Sequence, residues 1–315
     1  MQMRQLGKTG LSIAPIVFGG NVFGWTADEK TSYDILDAFF DAGFNTIDTA
    51  DVYSAWVPGN KGGDSEEIIG KWLKRSGLSR DKAIIITKVG SEMGPDKKGL
   101  REAYILKAVE DSLRRLQTDY IDLYLSHWPD PETQYEETLG AYAKLKQQGK
   151  IRAIGCSNLD AKQLQDSLDA AGKAGLPRYD VLQPEYNLYD RGFEGPLAEL
   201  CLREKIGVIT YFSLAAGFLS GKYRTKADTE GKARENRVGK YLDAKGLNIL
   251  AALDSVAKET GAKPAEIALA WLLQKKAVTA PIASATSLTQ LDALINSAKL
   301  TLSAEAVDIL DKAGA

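Results

Sequence analysis

Histidine is nearly missing from this chain. Its 315 residues include one, His127, and only two cysteines, Cys156 and Cys201. Catalytic zinc and non-haem iron usually draw on several imidazoles or thiolates, so this scarcity argues against either metal. An oxygen-only magnesium site stays open, although no carboxylate cluster announces one. Two cysteines build no disulfide framework; Cys156 lies in a strand-like run and Cys201 in a helix-like one, and both are expected as buried thiols. The net charge of −2 lacks the basic excess that nucleic acid or an anionic membrane would attract. No apolar stretch approaches a membrane span, and the N-terminal MQMRQLGKTGLS has no apolar core of a secretory signal. A cytoplasmic protein with small-molecule partners is expected, without nucleic acid or membrane; its oligomeric state is open.

What is present has one rhythm. Hydrophobic residues make up 44% and charged residues 26%, ordinary for a folded soluble chain. MRQLGKTGLSIAP reads as a hairpin turning at Lys8, Thr9 and Gly10. Short β-branched runs follow: IAPIVFGG, FNTIDTA, AIIITKV, IDLYLSH, IRAIGCSN, VLQPEYN, GVITYFS and VTAPIAS. Amphipathic segments such as SEEIIGKWLKRSG and REAYILKAVEDSLRRL separate them. Thr26 with Glu29, Asp64 with Glu67, and Ser287 with Gln290 have capping-box spacing, and Pro264 suits a first helical turn. This alternation predicts βαβ units and a parallel sheet. A doubly wound dinucleotide fold should carry GxGxxG after its first strand, and IVFGGNVFG does not match. About eight repeats instead fit an α/β protein of the (β/α)8 TIM-barrel class with an N-terminal β-hairpin. No linker splits the chain, so one domain, 1–315, is expected. The longest irregular stretch runs from about Ser213 to Lys240.

A barrel places its chemistry at the C-terminal ends of its strands. The residues at those exits are Asp48, Lys88, His127, Ser157 with Asn158, Gln183 and Tyr211, and Tyr53 follows Asp48 in the same loop. Each has an ordinary structural role available; together they would share one rim. Their chemistry also coheres. A tyrosine holds a donatable proton at neutral pH. A nearby lysine would favour its phenolate and lower its pKa, an aspartate would hold the lysine, and a histidine could bond the reacting oxygen. Such a set can protonate a carbonyl oxygen, while hydride must come from a nicotinamide cofactor.

At this point the chain resembles the aldo-keto reductases, in their shorter-loop bacterial form. DTADVY from Asp48 to Tyr53, ITKVG around Lys88, LYLSHWPDP around His127, then IGCSN, LQPEYNLY and TYFSLAAGFLSGKY match that family's motifs in order over almost the whole chain. The resemblance implies a catalytic tetrad of Asp48, Tyr53, Lys88 and His127, with Tyr53 as general acid in reduction and base in oxidation. It implies that Ser157, Asn158 and Gln183 hold the carboxamide of NADPH, and that Tyr211 stacks on its ring. Gly20 and Asn21 would line the loop after the first barrel strand. Leu214, Gly217, Leu219, Ser220, Gly221 and Lys222 resemble the pyrophosphate clamp.

The adenosine end matches less well. IASATSLTQL offers Ser284, Thr286 and Gln290, none of them charged, where a basic residue is frequent, and Ala293-Leu294 replaces a common Glu-Asn pair. Arg237 or Lys240 are the candidates for the missing cation. NADPH is preferred and NADH use stays open. Phe23, Trp25, Trp56 and Trp128 suggest an apolar pocket for an aldehyde, ketone or secondary alcohol. Two other functions compete. Potassium-channel β-subunits resemble this chain in the SGKY and PDP regions, which would suit a cofactor-binding sensor with little turnover. A Schiff-base aldolase would use Lys88.

Overall fold

Along all 315 residues described by the computed structural model, the β-branched runs fold as strands and the amphipathic segments as helices. An antiparallel hairpin of β1 (Arg4–Gln5) and β2 (Ser12–Ile13) comes first. The barrel strands are β3 (Val17–Gly19), β4 (Thr46–Asp48), β5 (Ile84–Val89), β6 (Ile121–Ser126), β7 (Ile151–Ser157), β8 (Val181–Gln183), β9 (Gly207–Thr210) and β10 (Ala280–Ala283). All neighbouring pairs are parallel, and β10 closes the ring between β9 and β3. Helices α1 (Glu29–Asp41), α2 (Asp64–Ser76), α3 (Glu102–Leu116), α4 (Tyr135–Gln147), α5 (Ala161–Ala174) and α6 (Pro196–Glu204) each join two successive strands. Between β9 and β10 lie α7 (Glu235–Val238), α8 (Ala244–Thr260) and α9 (Pro264–Leu273); α10 (Leu288–Ser297) and α11 (Ala304–Ala313) end the chain. This is the TIM barrel with hairpin that the strand–helix alternation predicts. No helix is long and apolar enough to cross a membrane.

Alternate residues of the strands fill the lumen. Val17, Ile84, Ile86, Leu123, Leu125, Val181, Ile209 and Ile282 form one apolar cluster that also takes in Leu6 and Ile13 of the hairpin. The hairpin therefore plugs the N-terminal end of the barrel. At Gly207, which opens β9, an added Cβ would meet the Leu6 carbonyl carbon at 2.9 Å, so only glycine lets the plug seat. The opposite end stays open and carries the polar strand exits. A second apolar layer, including Trp72, Tyr142, Phe39 and Trp271, packs the helices onto the strands.

Two helix starts differ from expectation. Asp28, not Thr26, caps α1, its carboxylate accepting from Thr31 N at 2.7 Å. At α2 the cap is Gly63 in the left-handed region, and Asp64 is already the first helical residue. There Asp64, Glu66 and Glu67 complement the positive end of the helix dipole instead. Ser287 does cap α10, and Pro264 opens α9. A reciprocal capping box appears at Asp160 and Gln163 of α5. The stretch from 213 to 240 is more ordered than expected. Short 3-10 turns and α7 punctuate it, anchored by buried Phe218, Val238 and Tyr241, with the Phe218 and Tyr241 rings stacked at 5.5 Å.

Candidate active site

The open end gathers the strand exits as the barrel geometry requires. Asp48, Ser157 and Gln183 are the last residues of β4, β7 and β8, Lys88 lies near the end of β5, and His127 and Tyr211 directly follow β6 and β9. Lys88 is the hub. Its Nζ donates to Asp48 Oδ2, the Thr49 carbonyl and the Tyr53 hydroxyl oxygen, each at 2.8 Å. All three ammonium protons are thus engaged inside the protein, and Lys88 would have to give up a proton and one of these contacts before it could form the Schiff base of an aldolase. Asp48 also accepts from Gln183 Nε2 at 2.9 Å and from the Tyr53 hydroxyl at 3.3 Å. The Lys88 side chain has no exposure and that of Asp48 is 3% exposed, so the pair is fully inside the protein.

Burial sets the protonation states. It pushes the Tyr53 phenol well above its ordinary value, and Asp48 adds to the rise. The expectation of a lowered Tyr53 pKa fails here because Lys88 is already matched by Asp48, so desolvation of the phenolate wins. Tyr53 is therefore held in its protonated form. Burial pushes Lys88 down, against Asp48. Burial, then the Lys88 charge, pushes His127 well below the ordinary imidazole value, so the ring is neutral.

Aromatic rings wall the mouth. Tyr53 meets Trp56 and His127 edge-on, each at 6.1 Å between centroids, and Trp128 stacks on His127 at 5.8 Å. Trp25 packs edge-on against Trp56 at 5.7 Å. Trp56 and Trp128 remain 46% and 49% exposed, an open apolar rim. Phe23 does not join them; it is buried and stacked on Phe18 at 5.3 Å, because the chain turns inward after Val22.

The residues expected to meet a cofactor fall into connected groups. Ser157 donates to the Gln183 carbonyl at 2.7 Å, and Asn158, left-handed at φ 64°, donates to the His127 carbonyl at 2.9 Å. The Tyr211 hydroxyl donates to Asn158 Oδ1 at 2.7 Å. Gly20 and Asn21 form the turn after β3, and Ser284 donates to Asn21 Oδ1 at 2.7 Å, joining the two ends of the barrel seam. Thr286 N and Oγ1 donate to Gln290 Oε1 at 3.0 and 3.2 Å. Between Leu214 and Lys222 the backbone is unusual: Ala215, Ala216 and Gly217 are left-handed in succession. Such strain in alanines marks a segment shaped for something other than stability. Leu219 is buried beneath it, the Ser220 hydroxyl donates to the Gly217 carbonyl, and Gly221 is left-handed at φ 78°. Lys222 leans on Tyr223 and makes no ion pair. Lys240 is taken, lying 3.7 and 3.5 Å from Glu185 and Asp190. Arg237 lies over the Phe212 ring at 5.4 Å with no acid partner.

Three further residues belong to this neighbourhood. Arg234, half-buried and without an acid partner, lies over Trp25 at 5.6 Å, so the loop after β9 reaches the loop after β3. Ser91 bonds His127 Nδ1 at 2.9 Å. Asp51 is 1% exposed, with both carboxyl oxygens unpartnered. The only trace of these in the sequence is position: Asp51 lies inside DTADVY, and Ser91 follows Lys88 across a glycine bend.

Fold and mouth together define a barrel enzyme with a lysine-held tyrosine at its open end. The sequence profile of the Aldo/keto reductase family matches residues 15–315. The chain is 35% identical to Aldo-keto reductase YhdN of Bacillus subtilis (strain 168), covering 97% of this chain and 91% of that one. It is 33% identical to the uncharacterized oxidoreductase YrpG of the same organism, over 99% and 95% of the two chains. It is also 33% identical to a probable voltage-gated potassium channel subunit beta of Arabidopsis thaliana, over 92% and 89%. The chain belongs to the aldo/keto reductase family, and with it to the oxidoreductases.

Proposed function

We propose that this chain reduces an aldehyde or ketone to the alcohol, reversibly, with Tyr53 as proton donor and NADPH as cofactor. The observation that carries the reading is the contact of Lys88 Nζ with the Tyr53 hydroxyl oxygen at 2.8 Å, with Asp48 holding the same ammonium. The hydride comes from the nicotinamide dinucleotide when one is bound, since no side chain delivers hydride. As the carbonyl oxygen gains charge, Tyr53 gives it the hydroxyl proton. Lys88 then stabilises the phenolate left behind, and Asp48 keeps Lys88 charged. His127, neutral, orients the carbonyl oxygen. In oxidation the Tyr53 phenolate takes the alcohol proton back.

The donor set fits the cofactor. Ser157, Asn158 and Gln183 offer both donors and acceptors to a carboxamide, and Tyr211 offers a ring face. Leu214, Gly217, Leu219, Ser220, Gly221 and the unpaired Lys222 would hold the diphosphate, where small side chains and a left-handed backbone expose N–H groups. Gly20 and Asn21 would close the near side. Ser284, Thr286, Gln290 and Arg237 would meet the adenosine end, with Arg237 supplying the cation that favours NADPH; NADH remains a usable alternative. Trp25, Trp56 and Trp128 suit an apolar carbonyl or secondary alcohol.

Fluorescence titration with NADPH and with NADH, followed by turnover on a panel of aldehydes and ketones, tests the reading. Tight cofactor binding with turnover supports it, and His127→Ala should then lose about 10²-fold in turnover while cofactor affinity holds. Tight binding without turnover would favour a cofactor-sensing subunit, the reading to which likeness to the Arabidopsis channel subunit lends weight. Binding of neither cofactor would sink the assignment.

A further inference from the structure

His127 is held by its backbone at both ends. Its N–H donates to the Val89 carbonyl at 2.8 Å, and its carbonyl accepts from Asn158 Nδ2 at 2.9 Å. The ring plane is fixed between Trp128, stacked at 11°, and the Tyr53 ring at 72°. One ring nitrogen has a protein partner: Nδ1 lies 2.9 Å from Ser91 Oγ. The other, Nε2, makes no hydrogen bond to the protein and is not closed off from solvent. Ser91 is 7% exposed and reaches this place because Gly90, at φ 111°, bends the chain as it leaves β5.

A neutral imidazole carries its proton on one nitrogen only, and the bond made by the other nitrogen decides which. With the proton on Nε2, the Ser91 hydroxyl donates to the Nδ1 lone pair and both groups are satisfied. With the proton on Nδ1, the ring donates to Ser91 Oγ, and the hydroxyl proton then has no acceptor in the protein. That arrangement would also turn the Nε2 lone pair toward the mouth, where it would repel a carbonyl oxygen instead of binding it. Burial and Lys88 keep the doubly protonated ring out of play.

We propose that Ser91 is a positioning residue that selects the Nε2–H tautomer of His127, so that the imidazole is a hydrogen-bond donor to the substrate oxygen. This rests on the reductase reading above, yet its first readout needs no turnover. The chain has one histidine, so 15N-histidine labelling of the full chain reports a single imidazole. Ring-nitrogen spectra of the protein, free and saturated with NADP+, should show a protonated Nε2 and an unprotonated Nδ1. Ser91→Ala should mix or reverse the two forms and lower kcat by about 10-fold, with cofactor affinity unchanged. Ser91→Thr, which keeps the hydroxyl, should restore both. A protonated Nδ1 in the unaltered protein overturns the proposal, and so does an Nε2–H ring or undiminished turnover in Ser91→Ala. If Ser91→Ala fails to fold, Ser91→Cys, whose thiol is a much weaker donor, takes its place, and an unmixed Nε2–H ring with full turnover in that variant overturns the role of Ser91. If the tautomer responds to Ser91 while no variant and no unaltered protein reduces any carbonyl, the proton placement stands and the reductase reading is what fails.

Discussion

Gln183 Nε2 donates to Asp48 Oδ1 at 2.9 Å, a bond between the ends of β8 and β4 across a separation of 135 residues. It leaves the side-chain Oε1 of Gln183 and one amide proton without a protein partner. Gln183→Ala should therefore weaken NADPH and NADH alike, by about 10-fold, the scale of one lost bond to a buried polar partner. Fluorescence titration with both cofactors checks this; an unchanged Kd for each would remove Gln183 from the cofactor site.

Asp48 and Tyr53 both touch Lys88, but their loss should differ in kind. Asp48→Ala leaves a buried ammonium without its counter-charge, at a cost of about 3–5 kcal/mol. Tyr53→Phe removes one acceptor and keeps the ion pair, so its cost should be nearer ~1–3 kcal/mol. Both variants should lose turnover. Urea denaturation beside a turnover assay separates them: equal destabilisation would mean that the Lys88–Asp48 pair is not what holds the mouth together.

The architecture is readable in the sequence because short β-branched runs alternate with amphipathic segments and most of the runs end on a polar residue. Asp48, Lys88, His127 and Gln183 fall at strand exits whatever the helices between them do. Helix starts are less readable. Thr26 and Asp28 both offer capping oxygens within one turn, and the path of the chain out of the loop decides for Asp28. Phe23 reads as a rim aromatic, yet it packs on Phe18 because a turn separates it from Trp25. Ser91 and Arg234 cannot be paired from sequence at all. Their partners, His127 and Trp25, lie on other loops, and only the closed barrel brings those loops together.

The two unpaired arginines of the loop after β9 should act differently on the two cofactors. Arg234 sits at Trp25, beside the loops that would flank the portion common to NADPH and NADH. Arg237 is the cation proposed for the 2′-phosphate. Arg237→Ala should weaken NADPH by about 10-fold and leave NADH alone, while Arg234→Ala should weaken both. Lys240→Ala should change neither, since Lys240 faces Glu185 and Asp190. A Lys240 variant that alone loses NADPH preference would reassign the phosphate to that lysine.

Asp51 supplies a pH dependence of stability. Both of its carboxyl oxygens lack a partner, and Tyr104 and Tyr124 nearby also have unpartnered hydroxyls. Arg115 pairs with Glu66 at 2.7 Å and makes no ion pair with Asp51, so its charge opposes the burial of the carboxyl only in part. Burial, then the Glu66 charge, pushes the Asp51 carboxyl well above its ordinary value. The unfolded chain releases this proton near pH 4, while the folded chain keeps it. Stability from this group is therefore complete below about pH 4 and is lost as pH rises toward the folded pKa, at about 1.4 kcal/mol for each pH unit between the two values. Asp51→Asn removes the ionisation and keeps the shape. Its Tm should match the parent near pH 4 and exceed it increasingly up to pH 7. His127, whose ring must charge in acid, is common to both proteins and cancels in the difference. A Tm gap that stays constant from pH 4 to pH 7 would mean that Asp51 is ionised in the fold.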